Sequence, residues 1–245
     1  MNDLSALLDT MDWWGLLGVL ITAASALLCI TVHELCHGLA AYRLGDPTAK
    51  ILGRLTLNPI KHIDPMGLVL MLVAHVGWAK PVPVNMRNFK DPRRGMALTA
   101  LAGPASNFVL AFAALALSSL IYYVSPLAVS IGGVVGRRTC LILLCVLANI
   151  AILSVGLGLF NLIPISPLDG SKVLFSFLPA RIYNTILRYE RYVMLLVIVL
   201  TLAGVFYGPL GWLIQGALRG LCVVTGYPID LLWGTQDISF LSHFL

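Results

Sequence analysis

Charge is what this chain lacks. Only 11% of its 245 residues are charged, 59% are hydrophobic and the mean hydropathy is +0.91, where soluble domains carry roughly a quarter charged residues. That deficit excludes an ordinary soluble fold and a disordered chain, and leaves an integral membrane protein. Lysine and arginine are missing altogether before Arg43, and the start carries Asp3, Asp9 and Asp12 instead. This lacks the basic start of a secretory leader, so the first apolar segment is expected to be retained. Cys29, Cys36, Cys140, Cys145 and Cys222 have no CxxC spacing. An odd number of cysteines scattered through apolar segments excludes a disulfide framework, and they read as small hydrophobes. Repeats and low-complexity tracts are lacking too. The length suits one unit over 1–245, with a core about 13–175, accessory helices about 190–226 and no appended soluble domain.

What is present is a set of long apolar runs, at about 13–41, 96–124, 139–163, 192–207 and 212–224. In lipid the backbone must satisfy its own polar groups, so the expected fold is all-α: a polytopic bundle of about five or six transmembrane helices. The cations fix its orientation. Arg43, Lys50, Arg54 and Lys61 follow the first run, Lys80, Arg87, Lys90, Arg93 and Arg94 precede the second, and Lys172, Arg181, Arg188 and Arg191 follow the third. Those loops are expected to be cytoplasmic, in a multi-pass membrane protein. Arg137 and Arg138 go against the rule but are outnumbered. The short apolar stretch Met66 to Trp78, flanked by cytoplasmic loops, is expected to be re-entrant. Because the net charge of +5 follows from these loop cations, it gives no reason to expect nucleic-acid binding.

Within the first run lies His33-Glu34-Leu35-Cys36-His37. Ionisable groups in hydrocarbon are costly and mark function until a partner explains them. Residues four apart share a helix face, so His33 and His37 can bind one cation with Glu34 beside them. A catalytic zinc normally takes three protein ligands, so another is required at the same depth. His33 lies roughly 15 Å before Arg43 along the axis, in the cytoplasmic half of the membrane. The third long run descends to that level and ends in Asn161-Leu162-Ile163-Pro164-Ile165-Ser166-Pro167-Leu168-Asp169-Gly170. Its prolines break the helix, Gly170 allows a tight approach, and Asp169 is the sole carboxylate between Asp91 and Glu190. Asp169 is therefore the expected third ligand, with a helix cap or a partner for Lys172 as the alternative.

These motifs, with Gly103-Pro104-Ala105-Ser106-Asn107, the stretch Leu57 to Pro65 and the stretch Gly77 to Asn85, resemble the site-2 protease family of intramembrane zinc metalloproteases, peptidase family M50. The resemblance spans about 31–173 and looks like the minimal bacterial or archaeal branch without a PDZ domain, which implies a plasma-membrane protein with its active site toward the cytoplasm. It implies one Zn2+ on His33, His37 and Asp169, Glu34 as general base, and Asn161 near the reacting carbonyl. The implied substrate is a transmembrane protein that must unwind locally, since helical hydrogen bonds shield its carbonyls. Membrane lipids and a membrane regulatory protein are the other partners it allows.

Other readings stay open at this level. Intramembrane His and Asp also line ion pathways, so a metal or proton transporter is the alternative function, and a noncatalytic binding protein a third. Asn161 could be a mere polar group at a helix end. Cys36 projects to the side of the histidine axis opposite Glu34 and reads as packing. His62 and Asp64 read as loop packing or gating, His75 as buried and His243 as exposed. Gly103 to Asn107 reads as a small-residue surface for close helix packing. Pro81 and Pro83 among valines suit an extended edge strand that could receive substrate by strand addition.

Overall fold

The computed structural model describes residues 13–65, 67, 79–178 and 180–234. The expected re-entrant stretch, His75 and His243 fall outside them. Among the described residues the fold is helical, without a named strand. Helix α1 is Trp13–Arg43, α2 is Thr48–Ile51, α3 is Pro92–Asn161, α4 is Asp169–Phe175, α5 is Ala180–Leu202, α6 is Tyr207–Thr225 and α7 is Ile229–Gly234.

Helix α3 joins two of the expected runs. In a straight line its 70 residues would reach roughly 105 Å. Yet a Cβ built on Gly158 would stand 3.3 Å from the Pro104 carbonyl oxygen, so the chain doubles back. The reversal sits at Gly133, whose φ of 57° and ψ of −131° are open to glycine and costly for other residues. A first arm, 92–132, and a second, 134–161, thus run antiparallel, with Arg137 and Arg138 just past the turn. The sequence between 124 and 139 is apolar enough to keep helical bonding up to the turn, which is why no separate loop forms. The first arm begins on Asp91, whose side chain accepts from the Arg93 and Arg94 main-chain N–H groups at 3.1 Å each, with Pro92 next. This is a capped start with proline where no donor is needed.

Helix α1 packs against α3, as does α6. Small buried residues, Ala111 and Ala114 on one arm and Ala148 and Ala151 on the other, let the helices approach closely around Leu115, Val155 and Leu218. The exterior is apolar instead of polar: Val19, Val109, Ile131 and Val223 are 66%, 68%, 80% and 83% exposed. Water would not tolerate so continuous an apolar surface, and lipid does; the chain is a membrane protein. By length and composition α1 and α3 can cross a membrane, and the pair Arg188–Leu202 and Tyr207–Thr225, bent by 80°, forms a third candidate. The two last expected spans therefore correspond to one sharply broken pair.

Between α1 and α3 the chain folds on itself outside the helices. Ile63 pairs with Ala79 in an isolated antiparallel bridge, and the Lys80 N–H donates to the His62 carbonyl at 2.9 Å. Residues 80–85 carry no helix or strand assignment. Asp46, fully buried, gathers the connection. It accepts from the Asn85 N–H at 2.7 Å, the Asn88 amide at 2.7 Å and the Thr48 N–H at 3.1 Å. Burial alone would push this carboxyl up, but the Thr48 hydroxyl, the Asn85 main chain and the Asn88 amide outweigh it and hold its pKa below the ordinary value.

Candidate metal centre

The histidines of α1 and the first residue of α4 meet. His33 Nε2 lies 3.1 Å and His37 Nε2 3.0 Å from Asp169 Oδ2, and the two Nε2 atoms are 3.0 Å apart. All three side chains are buried, and among the described residues they form the one cluster of at least three His, Cys, Asp or Glu able to share an ion. Cys36 is not in it. The helical spacing of α1 sets the two rings, which stand edge to face with centroids 4.5 Å apart. Asp169 is delivered by the break after Asn161. Gly170 must follow it, because a Cβ there would lie 2.2 Å from the Leu162 carbonyl oxygen.

The donor set fits a metal ion. His37 Nδ1 lies 2.7 Å from the Thr99 carbonyl oxygen, so that nitrogen donates, and Nε2 faces Asp169 Oδ2 at 3.0 Å. In the neutral ring Nε2 is a bare lone pair, available to a cation shared with that carboxylate oxygen. Atoms 3.0–3.1 Å apart also approach the edge of about 3.3 Å that a tetrahedron of zinc bonds requires.

One stripe of the first arm of α3 serves the rings. Thr99, Gly103 and Asn107 recur every four residues: Thr99 accepts from His37, and Asn107, fully buried, has its amide nitrogen 3.3 Å from His33 Nδ1. The Asn107 Oδ1 has no partner. Turned over, the Asn107 amide accepts from His33 Nδ1–H and leaves Nε2 free for a metal. Gly103 between them makes room, since a Cβ there would stand 2.4 Å from His37 Nε2 and 2.7 Å from His33 Cε1. The expectation for Gly103 to Asn107 was helix packing. The stripe does pack, but what it packs against is the pair of imidazoles, and the i, i+4, i+8 recurrence of Thr, Gly and Asn was the available signal.

Asp169 divides its oxygens. Oδ2 faces the histidines while Oδ1 accepts from Lys172 Nζ at 3.1 Å, so the Lys172 partner and the ligand position coexist. Glu34 Oε2 accepts from the Val82 main-chain N–H at 2.9 Å. The Asn161 side chain donates to the Leu157 carbonyl at 3.0 Å, a contact along its own helix, and lines the same cavity. That cavity measures about 560 Å³ and is walled by His33, Glu34, His37, Asp169 and Lys172 among apolar groups such as Val82, Met96 and Phe160. His62 and Asp64 also line it. His62 is bonded through Nε2 to the Thr56 carbonyl at 2.9 Å, and Asp64 accepts from the Gly67 N–H at 2.9 Å. These are contacts of loop packing at a cavity wall. All five cysteines are free. Helix α5 is tied to the loop before Asp169, where the Ser166 hydroxyl donates to Glu190 at 3.1 Å.

The family model described as "Peptidase family M50" matches residues 21–204. A Bacillus subtilis (strain 168) protein named "Putative zinc metalloprotease YwhC" is 41% identical over 187 residues, covering 76% of this chain and 79% of that relative. Proteins named "Putative zinc metalloprotease Rip2" from Mycolicibacterium smegmatis and Mycobacterium tuberculosis (strain H37Rv) are 30% and 31% identical, each covering 78% of this chain and 71% of the relative. No solved structure matches.

Proposed function

The chain belongs to peptidase family M50, and on that premise we propose that it acts as an intramembrane zinc metalloprotease, cleaving peptide bonds in or beside transmembrane segments of membrane proteins. The observation that carries the reading is the convergence of His33, His37 and Asp169 on one point. These three hold a single Zn2+, which when bound supplies an acidified water and a Lewis acid for the scissile carbonyl.

The chain's own groups do the rest. Glu34 has one oxygen held by Val82, and the other takes the proton from the attacking water and passes it to the leaving amine. Lys172 steadies the Asp169 oxygen turned away from the histidines. Asn161 uses one amide N–H on the Leu157 carbonyl and has a second for the developing oxyanion. A substrate enters the cavity unwound, its strand laid against residues 79–85.

The loop cations support a cavity at the cytoplasmic side of a multi-pass protein. Arg93, Arg94 and Lys172 lie at that end of the α3 hairpin, and Arg137 and Arg138 follow the turn at the other. The relatives are bacterial proteins, in keeping with a bacterial plasma membrane. A membrane protein that regulates access is a further partner. The comparisons lend the transporter reading no support.

The test is to express candidate single-span proteins in cells with the wild type or Glu34→Gln. Fragments are expected with the wild type alone, while both purified forms hold one zinc. Zinc flux through wild-type proteoliposomes with no proteolysis would replace this reading.

A further inference from the structure

The Glu34 carboxylate meets an unusual donor. Val82 lies between Pro81 and Pro83, neither of which has an N–H. Its amide is therefore the one main-chain donor in that tripeptide, and it points at Glu34 Oε2, 2.9 Å away. The prolines also confine their preceding residues, Lys80 and Val82, to extended backbone, so the direction of the donor costs little entropy to hold.

Both flanks of the segment are anchored. On one side the Lys80 N–H bonds the His62 carbonyl at 2.9 Å and the Lys80 carbonyl accepts from buried Arg54 at 2.8 Å. On the other the Asn85 N–H bonds buried Asp46 at 2.7 Å. Val82 itself is 8% exposed. Its side chain rests over Gly38, where an added Cβ would come within 3.2 Å of Val82 Cγ1. Gly38 is four residues past Glu34 and shares its face of α1.

We propose that the Val82 main-chain N–H is a positioning donor for the general base: it pins Glu34 Oε2 so that Oε1 is presented to the water and the scissile peptide, with Pro81 and Pro83 making that donor single and fixed. Val82 acts through Glu34 and touches no reacting atom. The inference rests on the metalloprotease reading above.

The decisive change removes the N–H alone. Nonsense suppression replaces Val82 with its α-hydroxy analogue, 2-hydroxy-3-methylbutanoic acid, converting one amide to an ester. The probe is a detergent-solubilised single-span protein that the wild type cleaves and Glu34→Gln does not. We expect kcat to fall roughly ten- to a hundredfold, as for a lost hydrogen bond to a charged group. KM and bound zinc stay at wild-type values. Val82→Ala, which keeps the N–H and trims the side chain, loses about tenfold less than the ester. An ester with wild-type kcat, an ester that loses its zinc, or a Val82→Ala equally impaired would overturn the proposal. A second readout needs no turnover: with 15N-valine labelling, the Val82 amide proton resonates downfield in the wild type and moves upfield in Glu34→Ala. A resonance indifferent to Glu34→Ala overturns the proposal whatever the kinetics. Absence of any Glu34-dependent cleavage overturns the protease reading and the donor's role with it, while the resonance still reports whether the contact exists.

Discussion

Replacing Gly103 with alanine should empty the metal centre while leaving the fold standing. A methyl at that position would stand 2.4 Å from His37 Nε2, 2.5 Å from His37 Cε1 and 2.7 Å from His33 Cε1. Unbonded heavy atoms settle near 3.5 Å, so both rings must retreat by roughly 1 Å. Asp169 cannot follow them, because its other oxygen is bound to Lys172 and its helix begins hard against the Leu162 carbonyl. Metal sites keep their bond lengths within about 0.2 Å, and a misplacement of about 1 Å costs on the order of a hundredfold in rate. Overpacking at one helix contact costs only about 1–3 kcal/mol of stability. Zinc per chain after dialysis against a weak chelator, cleavage of a Glu34-dependent substrate and Tm together read the outcome. We expect zinc affinity down more than about tenfold, cleavage down roughly a hundredfold and a Tm without zinc within a few degrees of the wild type. A Gly103→Ala protein that keeps its zinc and cleaves normally would refute the reasoning.

Asn161→Ala should lower kcat by about a hundredfold, the size of one oxyanion donor, with zinc content unchanged; an equal loss of zinc would make Asn161 structural. Asp46→Ala should destabilise the protein by about 3–4 kcal/mol, since it strands the donors of Thr48, Asn85 and Asn88 in a buried site. Because the folded-state pKa of Asp46 is depressed, its contribution is full above the ordinary carboxylate value near 3.9 and is lost as pH falls through the folded value. Thermal melts of wild type and Asp46→Ala should accordingly differ by a constant amount from neutrality down to about pH 4 and draw together only as pH falls further, through the folded value.

Much of the site could be read from residue order because the bilayer removes alternatives. A histidine pair four apart in a helix needs a third ligand at its own depth, and Asp169 was the single carboxylate available there. The expected runs 96–124 and 139–163 fall on the two arms of the α3 hairpin; what residue order did not show is that Gly133 alone makes the turn, in a chain that otherwise keeps helical bonding through Ser125 and Pro126. Asp46, between Gly45 and Pro47, belongs to no motif, and only the tertiary return of Asn85 and Asn88 makes it a buried hub. Gly103 looked like backbone packing because a sequence does not say which partner fills the space a glycine leaves. The contact between Glu190 and Ser166 ties α5 to the loop before Asp169, although the C-terminal helices carried no motif that announced it.

The central claim is one zinc ion shared by α1 and α4. X-ray absorption at the zinc edge of the purified wild type measures it most directly. It should find one zinc per chain with two imidazole nitrogens and a carboxylate oxygen at about 2.0–2.2 Å, and that first shell should be lost in Asp169→Ala. Metal-free protein, or a sulfur neighbour at about 2.3 Å pointing to Cys36, would contradict the account.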